Sequence, residues 1–105
     1  MEEKNLQASM GLIMHAGDAK SSAMEAIAAA KKGNFDEARK KLTSADEALK
    51  QAHLSQTNLL TEEAQGNHTE ITLLGLHAQD HLMTALTFND LAKEIVDLYQ
   101  RLEVG

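Results

Sequence analysis

No cysteine, proline or tryptophan occurs in the 105 residues of the chain. Without cysteine, disulfides, thiolate nucleophiles and cysteine-ligated zinc are excluded. Without proline, nothing in the covalent chain forces a helix to break. Glycine occurs six times, and the aromatic residues are Phe35, Phe88 and Tyr99 alone. The apolar 43% of the chain therefore comes mainly from Leu, Ala, Met and Ile, of which all but Ile lose little side-chain freedom in a helix. Bases are few and unclustered: 10 Lys+Arg stand against 16 Asp+Glu, for a net charge of -6. Nucleic acid and anionic lipid are not expected partners of such a surface. The N-terminus, MEEKNLQASMGLIMHAG, opens on acids and has only a brief apolar run, unlike a secretory signal. No stretch reaches the about 18 continuous apolar residues of a membrane span. The expectation is one domain over residues 1–105, soluble, cytoplasmic and without direct membrane insertion.

What is present is helical periodicity with two interruptions. At Gly33-Asn34, glycine suits the position just past a helix end, and Asn34 with Glu37 resembles an N-cap and its reciprocal partner. The run Gly66-Asn67-His68-Thr69 is a second turn, in which Thr69 can cap the next helix. Three helices result, over roughly 3–32, 35–65 and 70–102, each about 45 Å long. Their apolar stripes are Leu6, Met10, Ile13, Met14, Gly17, Met24, Ile27 and Ala28 in the first, and Phe35, Ala38, Leu42, Ala45, Leu49, Ala52, Gln56, Leu59 and Leu60 in the second. The third carries Leu74, His77, His81, Thr84, Phe88, Leu91, Ile95, Leu98 and Leu102, alternating by three and four as a helix seam does. Short joints make neighbouring helices antiparallel, so the fold class is all-α, an up-down-up three-helix bundle. Beside the third seam runs another stripe: Leu73, Leu76, Asp80, Met83 and Thr87. A helix in an isolated bundle needs about one apolar face. Two predict that one packs inside the subunit and the other against a further copy, making a homo-oligomer around the third helix.

Polar residues interrupt these seams at Leu76-His77-Ala78-Gln79-Asp80-His81-Leu82-Met83-Thr84. His77 and His81 share a face four residues apart, and Asp80 lies three beyond His77. A carboxylate on an apolar seam costs several kcal/mol unless it is paired or holds an ion. The spacing leaves three readings open. The histidines can be hydrogen-bonded core residues with Asp80 facing solvent. They can ligate a metal with the carboxylate, although Ala78 after His77 departs from the HExxH pattern of zinc proteases. Or an imidazole can act as nucleophile and hold a phosphoryl group, with Gln79, His81 and Thr84 in reach to orient it or receive its oxygens.

The stretch LLGLHAQDHLMTALTFNDLAKEIVDLYQRL, Leu73 to Leu102, resembles the C-terminal helix of the lactose/cellobiose-type IIA components of the phosphoenolpyruvate-dependent sugar phosphotransferase system. HAQDHLMT is a specific match. The resemblance extends in order through His15-Ala16-Gly17-Asp18-Ala19-Lys20-Ser21, Lys32-Gly33-Asn34-Phe35, Glu47-Ala48-Leu49-Lys50-Gln51-Ala52-His53 and Gln56-Thr57. It implies a homotrimer with the third helices near the threefold axis, and phosphorylation on His77. It also implies that Asp80 meets its symmetry mates on the axis and binds a metal, Mg2+, one per trimer. Three converging carboxylates repel without a cation, and oxygen-only ligands suit magnesium. Gln79 and His81 match motif positions expected to support His77. His53 is a weaker candidate to approach from a neighbouring subunit, His68 is expected to be solvated, and His15 is given no chemistry. Gly75 departs from the bulkier apolar residues usual at that position, at a cost of about 1 kcal/mol mid-helix, or it gives a partner close approach to His77.

The implied activity is a relay. The histidine phosphocarrier protein donates to His77, at Nε2, and the group passes to a cysteine of the IIB component for uptake of a β-disaccharide. Ala78, where lactose-type relatives tend to carry glycine, leans toward the cellobiose/chitobiose branch. The competing expectation is a non-enzymatic oligomerisation scaffold in which HAQDH serves assembly alone.

Overall fold

Both interruptions in the sequence become helix ends. In the computed structural model, which describes residues 3–104, α1 spans Glu3–Lys31, α2 Phe35–Ala64 and α3 Leu73–Val104. Gly33 and Gly66 take left-handed backbone, φ 80° and 89°, a region that costs a residue bearing a Cβ roughly 1–2 kcal/mol. Each closes its helix with the same pair of bonds. Gly33 N–H donates to the Ala30 carbonyl at 3.0 Å and Asn34 N–H to Ala29 at 2.9 Å; Gly66 N–H donates to Glu63 at 3.1 Å and Asn67 N–H to Glu62 at 2.9 Å. Terminal carbonyls that the helix itself leaves unpaired are thereby satisfied. The Asn34 side chain then accepts the Glu37 N–H at 3.3 Å and starts α2. Because the Asn34 N–H already serves Ala29, it is not available for the reciprocal bond expected from Glu37.

The start of α3 differs from expectation. Thr69 does not cap it: its N–H donates to the Glu63 carboxylate at 3.2 Å, which holds the chain against the end of α2. The cap is Thr72, whose hydroxyl accepts the Gly75 N–H at 3.0 Å and whose carbonyl accepts the Leu76 N–H at 2.9 Å. Gly75 therefore lies in the first turn, where the interior-glycine cost expected of a mid-helix position does not fully apply.

Joints of this length fold the three long helices side by side into a body 55 × 19 × 19 Å, with α1 packed more extensively on both partners than they are on each other. The buried positions repeat by three and four in every helix. They are Ser9, Leu12, Ala16, Ala19, Ala23, Ala26, Ile27 and Ala30 in α1, Ala38, Ala45, Leu49 and Ala52 in α2, and Ala78, Leu82, Ala85, Asn89, Ala92 and Val96 in α3. The stripe expected for α2 is the one found, except at Leu60, which is 60% exposed. The stripe expected for α1 is found only in part: Ile27 is buried and Ile13 packs on the core, but Leu6, Met10, Met14, Met24 and Ala28 are exposed, and Leu12 and alanines take the inward positions. Neither stripe expected for α3 is its buried row. Leu74, His81, Phe88 and Ile95 flank that row half-buried. Leu73, Leu76, Met83, Leu91, Leu98 and Leu102 stay 54–84% exposed. The subunit packs largely through small side chains, which let helices approach closely, with Leu12, Leu49 and Leu82 among the few large ones buried, and leaves many of its large ones outside. Asn89 is the polar exception within α3: its amide donates to Asp46 at 2.9 Å, and Asp46 also pairs with Lys93 at 3.0 Å.

Candidate functional site

His77 and His81 lie one turn apart near the start of α3, with ring centroids 5.7 Å apart and planes 15° from parallel. His77 is exposed and His81 half-buried. From α1, the Lys20 ammonium lies 3.2 Å from His81 Nδ1. An ammonium can only donate, so Nδ1 accepts, and the proton of the neutral ring sits on Nε2. That nitrogen faces Gly17, where a Cβ would stand 3.6 Å away. Burial, then the Lys20 and His77 charges, push the His81 pKa below its ordinary 6.5, against a smaller opposing pull from Asp80. His81 is therefore a neutral imidazole at pH 7. The Thr84 hydroxyl, exposed one turn on, donates to the His81 carbonyl at 3.1 Å.

Gln79 is not brought to His77 within the subunit. Two residues apart on a helix point to nearly opposite sides, and the Gln79 side-chain Oε1 accepts from the Gln56 Nε2 amide of α2 at 2.9 Å. Gly75 shares that opposite side, lining a cleft of about 240 Å³ with Ser9, Leu59, Leu76 and Gln79, so it opens no approach to His77 in the same chain. Asp80 is exposed amid Leu73, Leu76, Met83 and Leu91, on the side of α3 turned away from the buried row. Among the described residues no three His, Asp or Glu side chains converge within one subunit, and a metal on Asp80 would require carboxylates from several copies. An exposed, oxygen-only donor on an otherwise apolar face has the chemistry such a shared magnesium site needs. His53 is exposed on α2, and His68 is exposed in the joint with Nδ1 3.0 Å from Glu63.

Lys20 and Gly17 are the site residues that sequence reasoning passed over. Both lie within the stretch Ala16 to Ser21 that carries part of the family resemblance, but nothing in α1 alone says which residues face the histidines of α3.

The sequence matches the model of the family described as PTS system, Lactose/Cellobiose specific IIA subunit over residues 7–100. The chain belongs to this family. It is 54% identical to the lichenan-specific phosphotransferase enzyme IIA component of Bacillus subtilis over 97% of this chain and 93% of that one. It is 42% identical to the lactose-specific EIIA component of Streptococcus mutans over 86% of each. Among solved structures, the cellobiose-specific enzyme IIA of Bacillus anthracis superposes with a TM-score of 0.95 at 46% identity, covering 99% of this chain and 95% of that one. IIA(Chitobiose) of Escherichia coli, solved in complex with HPr, gives 0.83 at 36% identity over 98% and 99%. The likeness spans the whole bundle, so this IIA chain is a phosphotransferase component with the family's three-helix subunit. Among its described residues no helix is long and apolar enough to cross a membrane.

Proposed function

We propose that this IIA component accepts a phosphoryl group on His77 Nε2 from the histidine phosphocarrier protein and delivers it to a cysteine of a IIB component. The observation that carries the proposal is an exposed imidazole stacked on a neutral imidazole that a lysine holds from the neighbouring helix. In the first step the Nε2 lone pair of His77 forms an N–P bond while the N–P bond to the carrier's histidine breaks. In the second a thiolate forms an S–P bond and the Nε2 lone pair is restored. Neither step adds or removes a proton at His77, so the work left to the protein is positioning and charge stabilisation. Support for the donor comes from the HPr complex of the E. coli chitobiose relative.

The assembly is a homotrimer, cytoplasmic, with the exposed face of α3 turned inward and Asp80 from three copies holding Mg2+ on the axis. The ion would offset carboxylate repulsion there, and none of the transfer steps runs through it. The cargo is a β-linked disaccharide of the cellobiose/chitobiose kind rather than lactose, a reading supported by Ala78 and by higher identity to the lichenan-specific than to the lactose-specific relative.

Incubation with phosphoenolpyruvate, enzyme I and the phosphocarrier protein tests the relay against a pure scaffold. The expected result is an acid-labile, base-stable gain of one phosphoryl group that His77→Ala abolishes. No gain with active donors would leave the scaffold.

A further inference from the structure

Phosphorylation brings about -1.5 to -2 of charge onto His77, in a chain whose net charge is already -6 and with Asp80 three residues away. The group that receives this charge needs hydrogen-bond donors already aimed at it. The two rings are near-parallel with centroids 5.7 Å apart, so a group carried on His77 stands next to the His81 ring. What His81 offers there depends on which nitrogen carries its proton, and that choice is made by Lys20, 3.2 Å from Nδ1. With Nδ1 occupied as acceptor, the N–H is at Nε2. On the α1 side Nε2 faces Gly17, where a Cβ would stand 3.6 Å away and glycine places none.

Resting on the reading that His77 carries the phosphoryl group, we propose that Lys20 is a positioning residue for the transfer. By donating to His81 Nδ1 it holds that ring in the Nε2–H form and orients the N–H to donate to a phosphoryl oxygen on His77. A lysine that merely tied α1 to α3 would alter stability without altering the rate of transfer in the folded protein. The half-buried ammonium also sets a positive charge behind the ring, on the side away from the incoming group.

The test compares the unsubstituted protein with Lys20→Met and Lys20→Arg in single-turnover transfer from phosphorylated carrier, across carrier concentrations. Alongside, 15N chemical shifts of the His81 ring are read in the unsubstituted protein and in both variants. Loss of an orienting partner behind a functional imidazole typically costs about 10–100-fold. The expected result is a slowing of that size in the transfer rate for Lys20→Met, with little change in the carrier concentration giving half-maximal rate, and partial recovery in Lys20→Arg. The His81 ring should read as unprotonated at Nδ1 and protonated at Nε2, and as a tautomer mixture in Lys20→Met. Full-rate transfer to His77 in a folded Lys20→Met chain would overturn the proposal. So would a proton found on Nδ1 in the unsubstituted protein, a measurement that needs no variant to fold. If His77→Ala still took up the label, the underlying reading of His77 would fall instead.

Discussion

The large side chains left outside the bundle make a quantitative demand on the proposed trimer. Leu91 and Leu98 are 55% and 56% exposed in the subunit. Complete burial of a leucine is worth about 1.5–3 kcal/mol, so the uncovered half of each is worth about 1 kcal/mol. Replacing both by alanine removes that contribution at two positions in each of three subunits. With allowance for the Cβ that alanine retains, the trimer should lose about 5 kcal/mol, between three and four decades in its association constant. The isolated subunit should be nearly indifferent, because neither side chain is in its buried row and alanine is at least as good a helix former as leucine. Sedimentation equilibrium over a dilution series reads the association, and circular dichroism reads the helices. Leu91→Ala/Leu98→Ala should dissociate at concentrations where the unsubstituted protein remains trimeric, with helix content unchanged. An unaltered trimer would show that this face of α3 is not where copies meet, and a monomeric unsubstituted protein would refute the assembly itself.

Asp80→Leu should leave the trimer as stable or make it more so, since three carboxylates approaching one axis repel; dissociation of that variant into monomers would contradict the placement of Asp80. The lowered His81 pKa means that on acidification the unfolded chain takes up this proton before the folded one, so stability falls as pH drops below about 6.5 and is unaffected by this group above that. The urea midpoint should therefore decline between about pH 7 and pH 5.5, above the carboxylate range, and decline less in His81→Gln; a midpoint that rises on acidification would contradict the sign.

The helix count and the two joints were legible because they depend on local chemistry. A glycine at a helix end followed by asparagine encodes a left-handed residue and a cap whatever surrounds it, and Gly33 and Gly66 behave accordingly. The start of α3 was not legible, since Thr69 and Thr72 are equally good caps. The choice fell to Glu63, a residue of the preceding helix that takes the Thr69 N–H. Faces were harder still. Periodicity finds stripes but does not say which one points inward when large apolar residues and alanines alternate around the same helix. In α1 and α3 the alanines won, and the leucines and methionines that looked like core were left for another surface. His77 and His81 emerged from their spacing, and His77 is exposed, as the proposed role of nucleophile requires. Gln79 carried motif resemblance but points elsewhere in its own chain. Lys20 carried no signal in α1 alone, because its role exists only once α1 lies against α3.

Asn89 gives the alanine-lined interior something it otherwise lacks. Smooth helices of small side chains could slide past one another by a turn, about 5.4 Å, and still find methyl groups opposite methyl groups. The Asn89 amide among them breaks that equivalence: its buried Oδ1 already lacks a partner, and displaced from Asp46 its donor would lose one too, at a cost of about 1–3 kcal/mol. This bond, together with the Gln56–Gln79 bond and the Lys93–Asp46 pair between the same helices, favours the observed axial alignment of α2 and α3, and with it the height along the rod at which the histidines stand.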